Sequence, residues 1–203
     1  MTCVTESAGE PDWRQRKKTA TRDRLRASAL RLFREQGYDA TTVEQIAAAA
    51  GVSHMTFFRY FPAKEDVAMW DGYDPLIADV IARTPAGWPL TRRIRTVLVE
   101  GMRLIYGTER DTLLAQNKLI VDTPALRARL WADQIATQEL ILQALGANQD
   151  HPPTFQDKVT VAACLAAAST AILTWVENDG IPELPDLMEQ AFDTLTQLRA
   201  TRA

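Results

Sequence analysis

Between positions 54 and 60 stand side chains of the types that read base edges and grip phosphates: His54, Met55, Thr56, Arg59 and Tyr60. On a short helix, His54, Met55, Thr56 and Arg59 fall on or near one outward face, while Phe57 and Phe61, four apart, face inward. Small or flexible polar groups near the start of a helix are what the wide groove of duplex DNA admits. Tyr60 and Lys64 follow at the end of the segment, placed for backbone phosphates. Thr42 and Ser53 precede two predicted helices, where a hydroxyl and free backbone N–H groups together also suit a phosphate. Catalytic or metal chemistry has little to draw on. The two histidines are His54 and His151, and neither a ligand cluster, a nucleophile motif nor a Gly-rich phosphate loop is present.

Those residues need a scaffold, and the flanking sequence supplies one. Leu25, Ala29, Leu32 and Phe33 make the apolar stripe of a first helix, from about Lys18 to Gln36 and ended by Gly37. Thr41 or Thr42 caps a short second helix, Val43 to Ala50, with Val43, Ile46, Ala47 and Ala50 inward. Gly51-Val52-Ser53 is a tight turn, and Ser53 caps a third helix, His54 to Phe61, that Pro62 stops. Two short helices about a glycine turn, with a third packed across them, are a helix-turn-helix.

Charge follows the same division. From Trp13 to Lys64 there are 11 Lys and Arg against 4 Asp and Glu, whereas the rest of the chain is acidic enough to bring the total to −3. A basic front on an acidic body points to a polyanion met by the front alone, or to a basic solvated face. The 203 residues allow two domains, and 46% hydrophobic with 24% charged residues is an ordinary globular balance. No apolar run is expected to reach the ~18 residues of a membrane span, and MTCVTESAGEPDW lacks the apolar core of a secretory signal. With only Cys3 and Cys164, no disulfide framework is expected, and a reducing cytoplasm is the expected location.

Further helices are predicted from about Lys64 to Ala82, Leu90 to Tyr106, Arg110 to Asp122, Pro124 to Leu145, Thr154 to Asn178 and Pro185 to Arg199. The fold expected is all-α with about nine helices. Residues 1–17 are expected as a flexible arm, 18–64 as the DNA-binding domain and 65–203 as a ligand-binding and dimerisation domain.

The stretch from Ala27 to Val67 strongly resembles the TetR family of bacterial repressors. The resemblance is carried by Ala29-Leu30-Arg31-Leu32-Phe33 with Gly37-Tyr38, Thr41-Thr42-Val43-Glu44-Gln45-Ile46-Ala47, Ala50-Gly51-Val52-Ser53 and Thr56-Phe57-Phe58-Arg59-Tyr60-Phe61-Pro62-Ala63-Lys64-Glu65. It implies an all-helical subunit with three helices for DNA and the remainder for ligand and dimer contacts. Carried over by position, His54, Met55 and Thr56 are the main base-contacting residues, and Thr42, Phe58, Tyr60 and Lys64 lie along the phosphates. Many relatives have tyrosine where this chain has Phe58, which removes a phenol–phosphate bond. Many have a small polar residue where Ala63 stands, which removes a helix cap worth ~1 kcal/mol.

For the second domain the resemblance implies an inducer. Candidate pocket residues are Trp70, Tyr73, Met102, Tyr106, Asn117, Trp131 and Trp175, large or amphipathic side chains on central helices, suited to a lipophilic or aromatic effector. For any one of the aromatics, plain core is the stronger expectation. Small residues crowd the segment from Val159 to Trp175, which permits close helix packing within a subunit; the resemblance implies instead a homodimer formed by the helices near 154–178 and 185–199. A two-fold pair places two recognition helices about 34 Å apart and reads a palindromic operator in double-stranded DNA. The fourth helix then links effector to DNA domain. No cofactor and no membrane partner are expected. The rival classes are an enzyme, for which the motifs are missing, and a helical binding module that no longer holds DNA.

Overall fold

The computed structural model describes residues 11–69, 74–147 and 152–200. Ten helical segments and no strand occur among them. The chain divides into two units, Met1–Trp70 and Asp71–Ala203, a boundary six residues later than the one expected from sequence.

In the first unit α1 spans Pro11–Gln36, α2 Val43–Ala49, α3 His54–Tyr60 and α4 Lys64–Met69. Helix α1 begins seven residues before its predicted start, so residues 11–17 of the expected arm are its first two turns; residues 1–10 lie outside the described part. A proline at the first helical position loses nothing by lacking an N–H. Leu25, Ala29 and Phe33 are buried along one stripe of α1, against which α2 and α4 pack. Gly37 (φ +87°) and Gly51 (φ +65°) supply the left-handed turns that end α1 and α2. After α2 the N–H of Val52 reaches the carbonyl of Ala47 and that of Gly51 reaches Ala48, both at 3.0 Å. These bonds make the turn a rigid corner rather than a loose loop. Ile46, Phe57, Phe61, Val67 and Ala68 complete the core of this head.

The second unit holds α5 (Asp74–Arg83), α6 (Leu90–Asp122), α7 (Pro124–Arg127), α8 (Leu130–Ala147), α9 (Phe155–Glu177) and α10 (Leu184–Ala200). Helix α9 packs against α10, α6 and α8, while α5 lies on α8 and α6. Four predicted helices are redrawn. The segment from Lys64 to Ala82 is represented by α4 and α5, on either side of residues 70–73, which are outside the described part. Two predicted helices merge into the 33-residue α6. Buried Ile94, Leu98, Tyr106, Leu113 and Ile120 keep one face in register straight through Gly107, and burial of that face outweighs the ~1 kcal/mol that a mid-helix glycine costs relative to alanine. Conversely, the helix expected from Pro124 to Leu145 breaks after α7, where the N–H of Arg129 turns back three residues to the carbonyl of Leu126. The ends of α9 match expectation: Thr154 caps it reciprocally with Asp157, and Asn178 closes it.

Helix α9 is long and apolar enough, by length and composition, to cross a membrane, with a mean hydropathy of 1.9 over its most apolar stretch. This corrects the expectation that no apolar run is long enough: threonines and a serine punctuate the stretch, yet its mean hydropathy stays high. Val161, Cys164, Ala168, Ala171 and Trp175 are buried among the neighbouring helices, as in the core helix of a bundle. Cys164 is wholly enclosed, and burial pushes its thiol up to about 12. Since the thiolate is the reactive form, a thiol reagent at pH 8 should leave Cys164 unmodified in the native chain and modify it on unfolding. Peptide mapping after labelling with and without denaturant checks this, and rapid native labelling at position 164 would contradict the packing.

One buried cation organises the edge of this unit. Arg93, 5% exposed, donates from Nε to the Thr84 hydroxyl at 2.7 Å and from Nη2 to the Ile81 carbonyl at 2.8 Å. It thereby ties the start of α6 to the carboxyl end of α5. Burial lowers the pKa of its guanidinium, and Asp157 at the start of α9 acts in the opposite direction.

Candidate nucleic-acid interface and effector domain

The third helix has a sharp inside and outside. Phe57 is fully buried and packs against Phe61, ring centroids 5.8 Å apart, while Met55 on the other side is 76% exposed. His54 and Arg59 are exposed with it, and Thr56 and Tyr60 are half-buried. The side chains expected to read DNA therefore lie on one open face of the head. Phe58 is partly exposed, edge-on to His54 at 4.8 Å and to Phe57 at 5.4 Å. It acts as a hydrophobic shoulder between core and surface. Arg59 lies over the Tyr60 ring, 5.5 Å from its centroid.

Thr42 and Ser53 are the predicted caps. The Thr42 hydroxyl accepts from the N–H of Gln45, and the Gln45 side chain accepts from the N–H of Thr42. The Ser53 hydroxyl accepts from the N–H of Thr56 and lies 2.9 Å from the Thr56 hydroxyl. Both oxygens thus fix helix starts. Gln36 reaches across from α1 to the Gln45 side chain at 2.9 Å and to the Thr41 hydroxyl at 3.1 Å.

Lys64, expected along a phosphate, is also engaged within the head. Its ammonium donates to the carbonyls of Tyr38 (2.9 Å) and Thr41 (3.0 Å) and lies 4.1 Å from the centre of the Tyr38 ring. An ammonium has three donors, so two are spent inside the head. The Tyr38 phenol donates to Glu65 at 2.8 Å, and together these bonds bind α4 to the turn between α1 and α2. Nor is α4 uncapped, despite Ala63: the N–H of Ala63 donates to the Asp66 carboxylate at 2.7 Å, which retains the reciprocal half of a capping box.

Sequence reasoning passed over Glu44. This exposed residue of α2 brings Oε1 to 3.4 Å from His54 Nε2. Hydrogen bonds from its own backbone N–H and from Thr42 hold its carboxyl below the ordinary range. Ten residues separate it from His54, and no local spacing rule joins the two.

The predicted effector residues divide. Tyr106 and Trp175 meet with ring centroids 5.7 Å apart, and Met102 packs on the same core. The Tyr106 oxygen accepts from the N–H of Leu184 at 3.4 Å, and burial, followed by Glu183, raises its pKa. The Trp175 indole nitrogen is buried without a hydrogen-bond partner. Asn117 turns its amide onto the carbonyl of Leu113 in its own helix. Trp131 is 71% exposed and so lines no enclosed site in the subunit, because it falls on the open side of α8. Trp70 and Tyr73 lie outside the described residues. Among the described residues no group of three or more His, Cys, Asp or Glu could hold a metal.

Comparison with known proteins agrees with this architecture. Residues 25–68 match the family of bacterial regulatory proteins described as the tetR family, and residues 88–200 match the MftR C-terminal domain. The HTH-type transcriptional regulator TcmR of Streptomyces glaucescens is 31% identical, over 91% of this chain and 87% of its own length. The putative mycofactocin biosynthesis transcriptional regulator MftR of Mycobacterium tuberculosis is 23% identical, over 89% of this chain and 91% of its own. Among solved structures, Thermus thermophilus FadR, described as a TetR family transcriptional repressor in complex with lauroyl-CoA, is similar at a TM-score of 0.52. Its identity is 25%, over 86% of this chain and 93% of that one. SmeT with triclosan has a TM-score of 0.56 at 19% identity, over 86% and 89% of the two chains; the repressor is that of Stenotrophomonas maltophilia. An N-terminal helix-turn-helix joined to a helical ligand-binding domain, matched along nearly the whole chain, places the protein in the TetR family of bacterial transcriptional regulators.

Proposed function

We propose that the chain is a ligand-released repressor that binds a palindromic operator as a homodimer in the cytoplasm. The observation that carries this reading is the open outer face of α3, with Met55, His54 and Arg59 exposed above a closed Phe57–Phe61 core. His54, Met55 and Thr56 read bases. Thr42, Ser53, Tyr60 and the remaining donor of Lys64 lie along the backbone, and Phe58 packs beside them.

The pairing of subunits is supported by α9. Phe155 (82% exposed) and Val159 (50%) begin an apolar stripe that continues through exposed Ala166 to Leu173. A second copy covering α9 and α10 buries that stripe and supplies the two-fold axis a palindrome needs. The effector is a small lipophilic or aromatic molecule held near Met102, Tyr106 and Trp175. Binding of lauroyl-CoA by Thermus thermophilus FadR favours a ligand with an apolar portion. To release DNA effectively such a ligand must prefer the DNA-incompetent arrangement by several kcal/mol.

Binding of the full chain to the DNA just upstream of its own gene, measured at two salt concentrations, tests the reading. The expected result is preference for that fragment, with log affinity falling against log salt by a slope of about −0.9 for each phosphate neutralised. Equal, weak binding to every fragment would refute it.

A further inference from the structure

On the open face of the head the side chains of Thr42, Ser53, His54, Met55, Thr56 and Arg59 are neutral or basic, and Glu44 breaks the pattern. It is exposed, and Oε1 approaches His54 Nε2 at 3.4 Å. Phe58 stands edge-on to the same imidazole at 4.8 Å. The ring is thus held from α2 by a carboxylate and from its own helix by an aromatic. Glu44, ionised at neutral pH like any exposed glutamate, receives hydrogen bonds from its own N–H and from Thr42 that lower its pKa further.

A carboxylate brought to the surface of a polyanion is repelled unless it finds a donor there. In the major groove the only such donors are the exocyclic amino groups of cytosine and adenine. Adenine sets its N7 acceptor beside the amino group, where a second acceptor is unwelcome, whereas cytosine presents N4 alone. The His54 imidazole stands beside that carboxylate and fixes where it meets the groove. We propose that Glu44, positioned by His54, accepts a hydrogen bond from a cytosine amino group at one position of each operator half-site and rejects guanine there. This rests on the DNA-binding reading of α3 and adds Glu44 as a residue that determines specificity.

Selection of bound sequences from a randomised duplex pool, by the full-length chain and by Glu44→Gln, His54→Gln and the double variant, tests the pair. The unaltered protein should select cytosine at one position per half-site. Glu44→Gln should weaken that preference about tenfold, within the range a single base contact supplies. It should also raise affinity for random DNA about threefold, because one repelled charge is gone. His54→Gln should alter the same position, and the double variant should lose no more discrimination than the stronger single change. Unchanged base preference in Glu44→Gln, or effects of the two changes at different positions, would overturn the pair while leaving operator binding intact. Failure of the unaltered protein to select any sequence would overturn operator binding itself. Both side chains are exposed, and equal thermal midpoints confirm that the glutamine variants fold.

Discussion

Truncating Phe57 to alanine should abolish DNA binding while the second unit stays folded. Phe57 is fully buried beneath the outer face of α3 and touches both Phe58 and Phe61. Removing an aromatic from such a site costs about 3–5 kcal/mol, through lost burial and an unfilled cavity. The head is one compact unit ending near Trp70, and a domain of that size is only marginally stable. The loss therefore takes most of what holds α3 in place. The second unit has a core of its own around Ile94, Ile141 and Trp175. Circular dichroism should show partial rather than complete loss of helix, with operator binding gone and the dimer retained on gel filtration. A variant that keeps both full helicity and operator affinity would mean that Phe57 does not support α3.

The second large effect belongs to Arg93→Ala. Two hydrogen bonds from a charged donor disappear, to Thr84 and to Ile81 at the carboxyl end of α5. Such bonds contribute ~1.5–3 kcal/mol each. The relief of desolvating the guanidinium, whose pKa burial lowers, offsets part of that. A net loss of about 3 kcal/mol is expected, or roughly 10 °C in the midpoint of the second unit. Arg93→Lys should recover only part, because a compact ammonium cannot hold both partners with the planar fork of a guanidinium. Differential scanning calorimetry on the three chains measures the series. A midpoint unchanged in the alanine variant would show that the clamp is idle.

Much of the head was legible because its signals are local. Thr42, Gly51 and Ser53 each act within a few residues, so the limits of α2 and α3 follow from capping and turn chemistry. The same holds for α9, where Thr154 and Asn178 mark both ends. What escaped sequence reasoning is tertiary. Gly107 reads as a break until one sees Tyr106 and Leu113 buried on the same face of α6. Ala128-Arg129 contains no breaking residue, yet the chain tightens there. Trp131 and Trp175 are the same residue type on neighbouring apolar helices, and only packing leaves one outside and the other enclosed. Lys64 ends up on the carbonyls of Tyr38 and Thr41, 26 and 23 residues away, and Glu44 beside a histidine on the next helix. Partners at that separation leave no mark in spacing.

The fastening of α4 also bears on how a signal could travel. Its lysine grips the backbone of the first turn, and the neighbouring Glu65 holds the phenol of Tyr38. These bonds make α4 one piece with the corner between α1 and α2, so a turn of the α4 axis is expected to carry α3 with it rather than to rearrange the outer face of α3.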